Sequence, residues 1–132
     1  MSDENLRKAD VNGHILVIGE SLIDIVQRAD GSTQEHVGGS PANVAVGLAR
    51  LSHDVAFATQ LGDDERGARI ASHLVREGIW LADGSVGRRP TSVATSTLDA
   101  TDAAAYSFDL SWDLPPLAPI QGLTHVLSLI HI

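Results

Sequence analysis

Two unbroken apolar runs, each followed by a segment of helical periodicity, constrain this chain more than any other feature. His14-Ile15-Leu16-Val17-Ile18-Gly19 is the first, and Val55-Ala56-Phe57-Ala58-Thr59 is the second. Short continuous apolar runs of this kind belong to strands buried on both faces of a parallel sheet. After the first run, Val44, Leu48 and Leu51 recur at helical spacing, with Ala45, Gly47 and Ala49 as small neighbours. This predicts a helix from Pro41 to about Leu51 that packs closely on a sheet. After the second run, Ile70, Leu74 and Val75 give another helix its apolar stripe. Acidic residues stand at the start of that helix, where they suit its dipole, and Gly78 closes it after Glu77. Strand, helix, strand, helix in this order implies right-handed βαβ units and a parallel sheet.

A shorter apolar run, Leu22 to Val26, is interrupted by Asp24, and Ala29-Asp30-Gly31-Ser32 beyond it is a turn signal. Further along the pattern changes period. Ser92 to Leu98 alternates polar and apolar residues, Asp99-Ala100-Thr101-Asp102 is a turn, and Ala104 to Leu110 alternates again with Tyr106 and Phe108. That is the signature of a solvated antiparallel hairpin, a candidate lid or dimer surface. Leu114 to Pro119 is a Pro-rich connector, and Thr124 to Leu127 starts another core strand.

The strongest local signal for chemistry is Gly38-Gly39-Ser40-Pro41-Ala42-Asn43. Two glycines let backbone approach a ligand closely. Ser40 is a suitable N-cap and Pro41 a suitable first helical residue, so the helix start presents backbone N–H groups. Asn43 both donates to and accepts from a hydroxyl, which suits a neutral polyol. No Gly-Lys-Ser/Thr follows, so this is not a Walker A phosphate loop. In isolation the same residues also fit an ordinary tight loop with a capped helix. Asp24 falls after the first strand, on the side where open α/β sheets bind ligands, and its carboxylate can accept two sugar hydroxyls. Taken alone it reads equally as a solvated strand-end aspartate.

Composition removes several function classes. The formal net charge is −8, against a basic footprint for nucleic acid. There is no cysteine, so disulfides, thiolate catalysis and Cys-ligated zinc are out. The six histidines are scattered without metal-ligand spacing. Met1 to Asn12 is polar, carries both charge signs and lacks the apolar core of a signal peptide, so it is expected to be a flexible tail. No apolar run approaches a membrane span. A cytoplasmic location and no membrane partner are expected.

Gly38-Gly39-Ser40-Pro41-Ala42-Asn43-Val44-Ala45, then Leu48-Ala49-Arg50-Leu51, then Gly62-Asp63-Asp64 and Gly67, resemble the first signature of the PfkB carbohydrate kinases. Val17-Ile18-Gly19-Glu20 with Asp24 is similar to that family's first strand. The likeness runs in order from about Ile15 to Val126. It implies the N-terminal part of a ribokinase-like three-layer α/β/α sandwich with a β lid, over 13–126, the lid at about 92–110. It implies that Asp24, Gly38, Gly39 and Asn43 contact sugar hydroxyls, with Tyr106 or Phe108 closing over the sugar or simply packing in the lid. It assigns Gly62 to Gly67 to structure. Members transfer the ATP γ-phosphoryl group to a sugar hydroxyl with Mg²⁺, using an aspartate in a Gly-Ala-Gly-Asp motif as base. That motif is absent from this sequence. The expectation is therefore sugar positioning without catalytic, ATP-binding or metal residues, inactive alone, with a small-molecule sugar as partner and a possible homodimer through the lid. Fructokinase or ribokinase type leads. A nucleoside kinase of the same family and a non-catalytic sugar-binding module are the alternatives. The last six residues, Leu127-Ser128-Leu129-Ile130-His131-Ile132, are also what CTG-TCT-CTT-ATA-CAC-ATC encodes, a transposon-end sequencing adaptor, and are expected to be non-native.

Overall fold

The computed structural model describes residues 14–114, 116–117 and 120–129. The expected tail at Met1 to Asn12 and the last three residues lie outside the described residues. The element order is β1 (His14–Ile18), β2 (Leu22–Gln27), β3 (Thr33–Gly38), α1 (Ser40–Arg50), β4 (Val55–Ala58), β5 (Leu61–Gly62), α2 (Glu65–Arg76), β6 (Trp80–Leu81), β7 (Val86–Gly87), β8 (Val93–Leu98), β9 (Ala104–Asp109) and β10 (Leu123–Ser128).

The two apolar runs become the centre of a parallel body sheet of order β10-β1-β4-β6. In β1 and β4, Val17, Val55 and Phe57 project to one face, where they pack with Ala42 and Ala45 of α1 and Ile70 and Leu74 of α2. Leu16, Ala56 and Ala58 project to the other face, where Leu114, Leu117 and Ile120 of the connector cover them. Strand period dictates this split. Among the described residues both helices lie on the first face. The strand expected at Thr124 is β10. It runs parallel to β1, with Leu127 opposite Val17 and Ser128 opposite Ile18.

A second four-stranded sheet, the lid, has the order β3-β2-β8-β9. It consists of two hairpins, β2–β3 and β8–β9, joined by the parallel pairing of β2 with β8. The sequence announces only the second hairpin. In β3, Thr33-Gln34-Glu35-His36 are all exposed and carry no apolar alternation. The run at Leu22 is likewise a lid strand, so Asp24, which follows β1 in the sequence, lies within β2.

Three side-chain expectations are corrected. Val44 and Leu51 of the first helical stripe are exposed, Leu51 to 72%. The buried residues of α1 are Pro41, Ala42 and Ala45, with Val46 and Leu48 partly buried against the same core. Val75 is exposed on α2, leaving Gly67, Ile70 and Leu74 as the buried stripe. Ser40 is the first helical residue, not the cap. The cap position is Gly39, with φ 99° and no side-chain cap bond, a left-handed backbone that glycine adopts without strain. Among the described residues no helix is long and apolar enough to cross a membrane.

Candidate functional site

The chain crosses itself tightly where β1 ends and α1 begins. A Cβ at Gly19 would strike the Pro41 ring, and one at Gly39 would sit 3.0 Å from the Glu20 carbonyl oxygen and 3.1 Å from the Ser21 Cα. Bare backbone on both sides lets α1 start directly above the end of β1. The crossing is pinned from below. The buried hydroxyls of Ser21 and Thr59 are hydrogen bonded at 2.8 Å, and the Thr59 N–H donates to Ser85 Oγ at 3.3 Å. The carboxyl ends of β1 and β4 are thereby fixed beneath the Gly38–Gly39 junction.

The lid register decides which residues share the site. Asp24 on β2 is opposite His36 on β3 and Ala94 on β8, and Ala94 is opposite Phe108 on β9. Registered neighbours point to the same face of a sheet. His36, Asp24, Ala94 and Phe108 therefore form one row across the lid. Gln34, Val26, Ser96 and Tyr106 form the next row outward. The rings of Tyr106 and Phe108 stack with centroids 6.4 Å apart and planes 11° apart. Gly38 belongs to the same face, since a Cβ added there would collide with the Asp24 carboxylate. The small Ala94 leaves room between the carboxylate and the aromatic ring.

The structure thus brings together Asp24, Gly38, Tyr106 and Phe108 on one lid face, which we call the inner face. Gly39 is the joint between that face and α1. Asn43 is exposed in the first turn of α1, its backbone N–H donating to the Gly39 carbonyl at 3.0 Å. It is joined to the others through this short junction. Among the described residues, neither the Asp24 carboxylate nor the Asn43 amide has a protein hydrogen-bond partner. A half-buried carboxylate beside exposed rings is a ready acceptor for hydroxyl groups. His36 escaped the sequence reading, although its position two residues before Gly38 places it on the same face by strand period alone.

The lid base carries a polar hub that the sequence reading assigned to structure without detail. Asp64 caps α2: one carboxylate oxygen accepts from the Gly67 N–H at 2.7 Å and the Thr91 hydroxyl at 2.6 Å, the other from the Thr91 N–H at 2.9 Å. The Gly62 N–H donates to Thr91 Oγ1 at 2.9 Å. Desolvation pushes the Asp64 carboxyl up, but the Thr91 and Gly67 hydrogen bonds and Arg66 outweigh it and hold it below the ordinary carboxylate range. Ser92, the next residue, exchanges hydrogen bonds with the backbone of Ser111, and its carbonyl accepts from Ile23. Thr91–Ser92 therefore ties β2, β8 and the exit of β9 to the body.

The opposite, outer face of the lid looks onto α2. There Glu35 accepts two hydrogen bonds from Arg66, at 3.1 and 3.2 Å, and one from Arg69 at 3.0 Å. The Arg66 hydrogen bond, with both cations nearby, outweighs desolvation and lowers the Glu35 carboxyl below its ordinary value. These side chains, with Asp64, Val93 and Asp109, line an open cleft of about 360 Å³ between the lid and α2.

Over residues 12–118 the sequence matches the family described as pfkB family carbohydrate kinase. A fructokinase of Klebsiella pneumoniae is 36% identical over 132 aligned residues, covering 90% of this chain and 42% of that protein. The chain spans under half the length of this relative. A crystal structure of fructokinase from Xylella fastidiosa with bound ATP superposes with a TM-score of 0.63 at 31% identity, over 74% of this chain and 33% of the other. A ribokinase structure from Thermotoga maritima gives a TM-score of 0.64 at 24% identity, over 74% and 36%, a likeness of fold. Matched along most of its length, with the glycine junction and the lid both in place, the chain has a ribokinase-like α/β fold and belongs to the PfkB family of carbohydrate kinases.

Proposed function

We propose that this chain is the sugar-binding part of a longer, ATP-dependent sugar kinase of fructokinase or ribokinase type. The observation that carries the reading is the row on the inner lid face. Among the described residues Asp24 has no protein hydrogen-bond partner, its carboxylate lies against Gly38, and it shares its row with Phe108. A carboxylate accepts two adjacent hydroxyls of a polyol. The bare Gly38–Gly39 backbone lets the sugar approach the first turn of α1, where Asn43 supplies one donor and one acceptor. The aromatic pair offers an apolar surface for the carbon face of the ring.

Positioning is what these residues contribute to phosphoryl transfer. Among the described residues no three His, Cys, Asp or Glu side chains cluster as they would around a metal ion. Because the Gly-Ala-Gly-Asp motif is absent from this sequence, the reading assigns Mg²⁺, ATP and the proton-accepting aspartate to the remainder of the longer protein and takes the 132-residue chain as inactive alone. When bound, ATP supplies the transferred phosphoryl group. A cytoplasmic location goes with this reading. So does pairing of two copies through the exposed lid.

The test is fructose titration of the complete protein by calorimetry, comparing the unmodified chain with Asp24→Ala. Hydrogen bonds to charged groups contribute about 1.5–3 kcal/mol each, so losing two weakens sugar binding on the order of 100-fold or more. The thermal midpoint should stay where it was, since among the described residues Asp24 has no protein hydrogen-bond partner to lose. Equal fructose affinity in the two proteins would reject the assignment.

A further inference from the structure

The two faces of the lid are differently occupied, and this difference points to how the lid's angle is set. The inner face carries Asp24 and Phe108 and continues through Gly38–Gly39 into α1. The outer face carries Glu35, which stands opposite Ile25 in the β2–β3 ladder and reaches across the cleft to α2. The base of the lid is tied to the body at Thr91 and Ser92, and by Ile23, which is buried in the body core with Val37 and Ile25 packed against it. A sheet tied at its base changes angle by rotating about that base. A rotation that brings the inner face toward the first turn of α1 carries the outer face away from α2.

The Glu35 contacts cannot survive such a rotation. Their N···O distances are 3.0 to 3.2 Å, and a hydrogen bond is lost once the gap passes about 3.5 Å. The side chains are partly solvated, with 31% of Glu35, 41% of Arg66 and 42% of Arg69 accessible, so water replaces the contacts when they part. The cluster also holds little else in place. Arg69 makes its other contact with Glu65, at 3.4 Å on the same helix.

We propose that Glu35, with Arg66 and Arg69, is a latch that holds the lid open, so that the free energy of sugar binding must break it before the inner face closes. Glu35 is on this account a positioning residue. The inference rests on the sugar-binding reading for its effect on affinity, but not for its effect on lid angle. A ligand shifts such an equilibrium only by its differential affinity for the two states. Removing the latch therefore tightens binding instead of weakening it. A merely structural ion pair would have no such effect.

Two measurements on the complete protein decide it. The 132 residues contain no cysteine, so within this chain the pair Ser72→Cys on α2 and Ala100→Cys at the lid tip takes spin labels alone. Without any sugar, Glu35→Gln should lengthen the mean Ser72–Ala100 label distance. Arg66→Gln with Arg69→Gln should do the same, and adding Glu35→Gln to that pair should change nothing further. An unchanged distance in Glu35→Gln overturns the latch, and so does full additivity of the three substitutions. Fructose titration then reads the consequence. Glu35→Gln should bind about threefold to fivefold more tightly than the parent, the scale of a solvated ion pair. Equal or weaker binding overturns the latch. If the parent binds no fructose, the sugar assignment falls, and the label distances still judge the latch by themselves.

Discussion

The body sheet and the lid sheet have four strands each and are held in opposite ways. Every residue of β4 in the body is buried, and Phe57 has no accessible surface at all. Every residue of β9 in the lid is exposed, and β3 is exposed from Thr33 to His36. Apolar burial therefore stabilises the body and the base of the lid, where Ile23 is fully buried in the same core with Ile25 and Val37 against it, while backbone ladders and a few polar ties hold the rest of the lid. The ties are Asp64 to Thr91, Ser92 to Ser111 and Glu35 to Arg66 and Arg69. The exposed strands of the lid, β9 and the start of β3, are therefore expected to open at lower free energy than the body. Rigidity falls to the platform under the glycine junction and to the base of β2, and the looser part is the outer lid around β9.

The largest expected effect belongs to the body. Phe57→Ala should cost about 3–5 kcal/mol in urea unfolding of the complete protein, the range for a fully buried phenylalanine. A loss below about 1 kcal/mol would place the core elsewhere and remove the contrast. Next comes the joint. Gly39→Ala forces an alanine to φ 99° with its Cβ 3.0 Å from the Glu20 carbonyl, and should cost about 1–3 kcal/mol. Its thermal midpoint should fall well below that of Gly47→Ala, where an added Cβ meets nothing within 4 Å.

That contrast also explains what could be read from the sequence. The body was legible because burial on both faces writes itself as unbroken apolar runs, as at His14–Ile18 and Val55–Ala58. The junction was legible because Gly39, at φ 99°, answers a backbone need that glycine meets without strain, and Gly38 beside it marks the same turn. The strand β3 was not, since its side chains are solvated and leave no periodic trace. Missing β3 hid the whole first hairpin, and with it the placement of Asp24 inside the lid and of His36 beside it. The exposure of Val44, Leu51 and Val75 was hidden for another reason. Helical spacing marks a stripe, but the close approach permitted by Ala42 and Ala45 decides which side of the helix touches the sheet. Ion pairs such as Glu35 with Arg66 span 31 residues and leave no local signal.

A middle-sized effect tests the tie between body and lid. Asp64→Ala should cost about 0.5–2 kcal/mol, the range for a helix N-cap. Its pH dependence has a definite sign. The folded carboxyl lies below its ordinary value of 3.8, so its stabilisation is present above that value and is lost as pH falls through the lower folded value. The gap in thermal midpoint between parent and Asp64→Asn should hold from about pH 7 to pH 5 and narrow below about pH 4. A gap that widens on acidification would mean that the carboxylate is not the group being held.

The smallest effect on stability should come from the aromatic pair, and there the comparison is sharpest. Tyr106 and Phe108 are 69% and 63% exposed, so replacing either by alanine should move the unfolding free energy by no more than about 0.5 kcal/mol. Function should separate them where stability does not. Phe108 stands in the row of Asp24, whereas Tyr106 stands one row further out, opposite Ser96. A sugar held by Asp24 lies nearer Phe108, so Phe108→Ala should weaken fructose binding more than Tyr106→Ala. A surface that pairs two copies has no reason to follow that order, because both rings are presented outward together. Sedimentation of the two variants beside their fructose titrations therefore distinguishes the uses of this face. Graded loss of sugar affinity marks it as the closing surface over the substrate, and equal loss of self-association with sugar affinity intact marks it as a dimer contact.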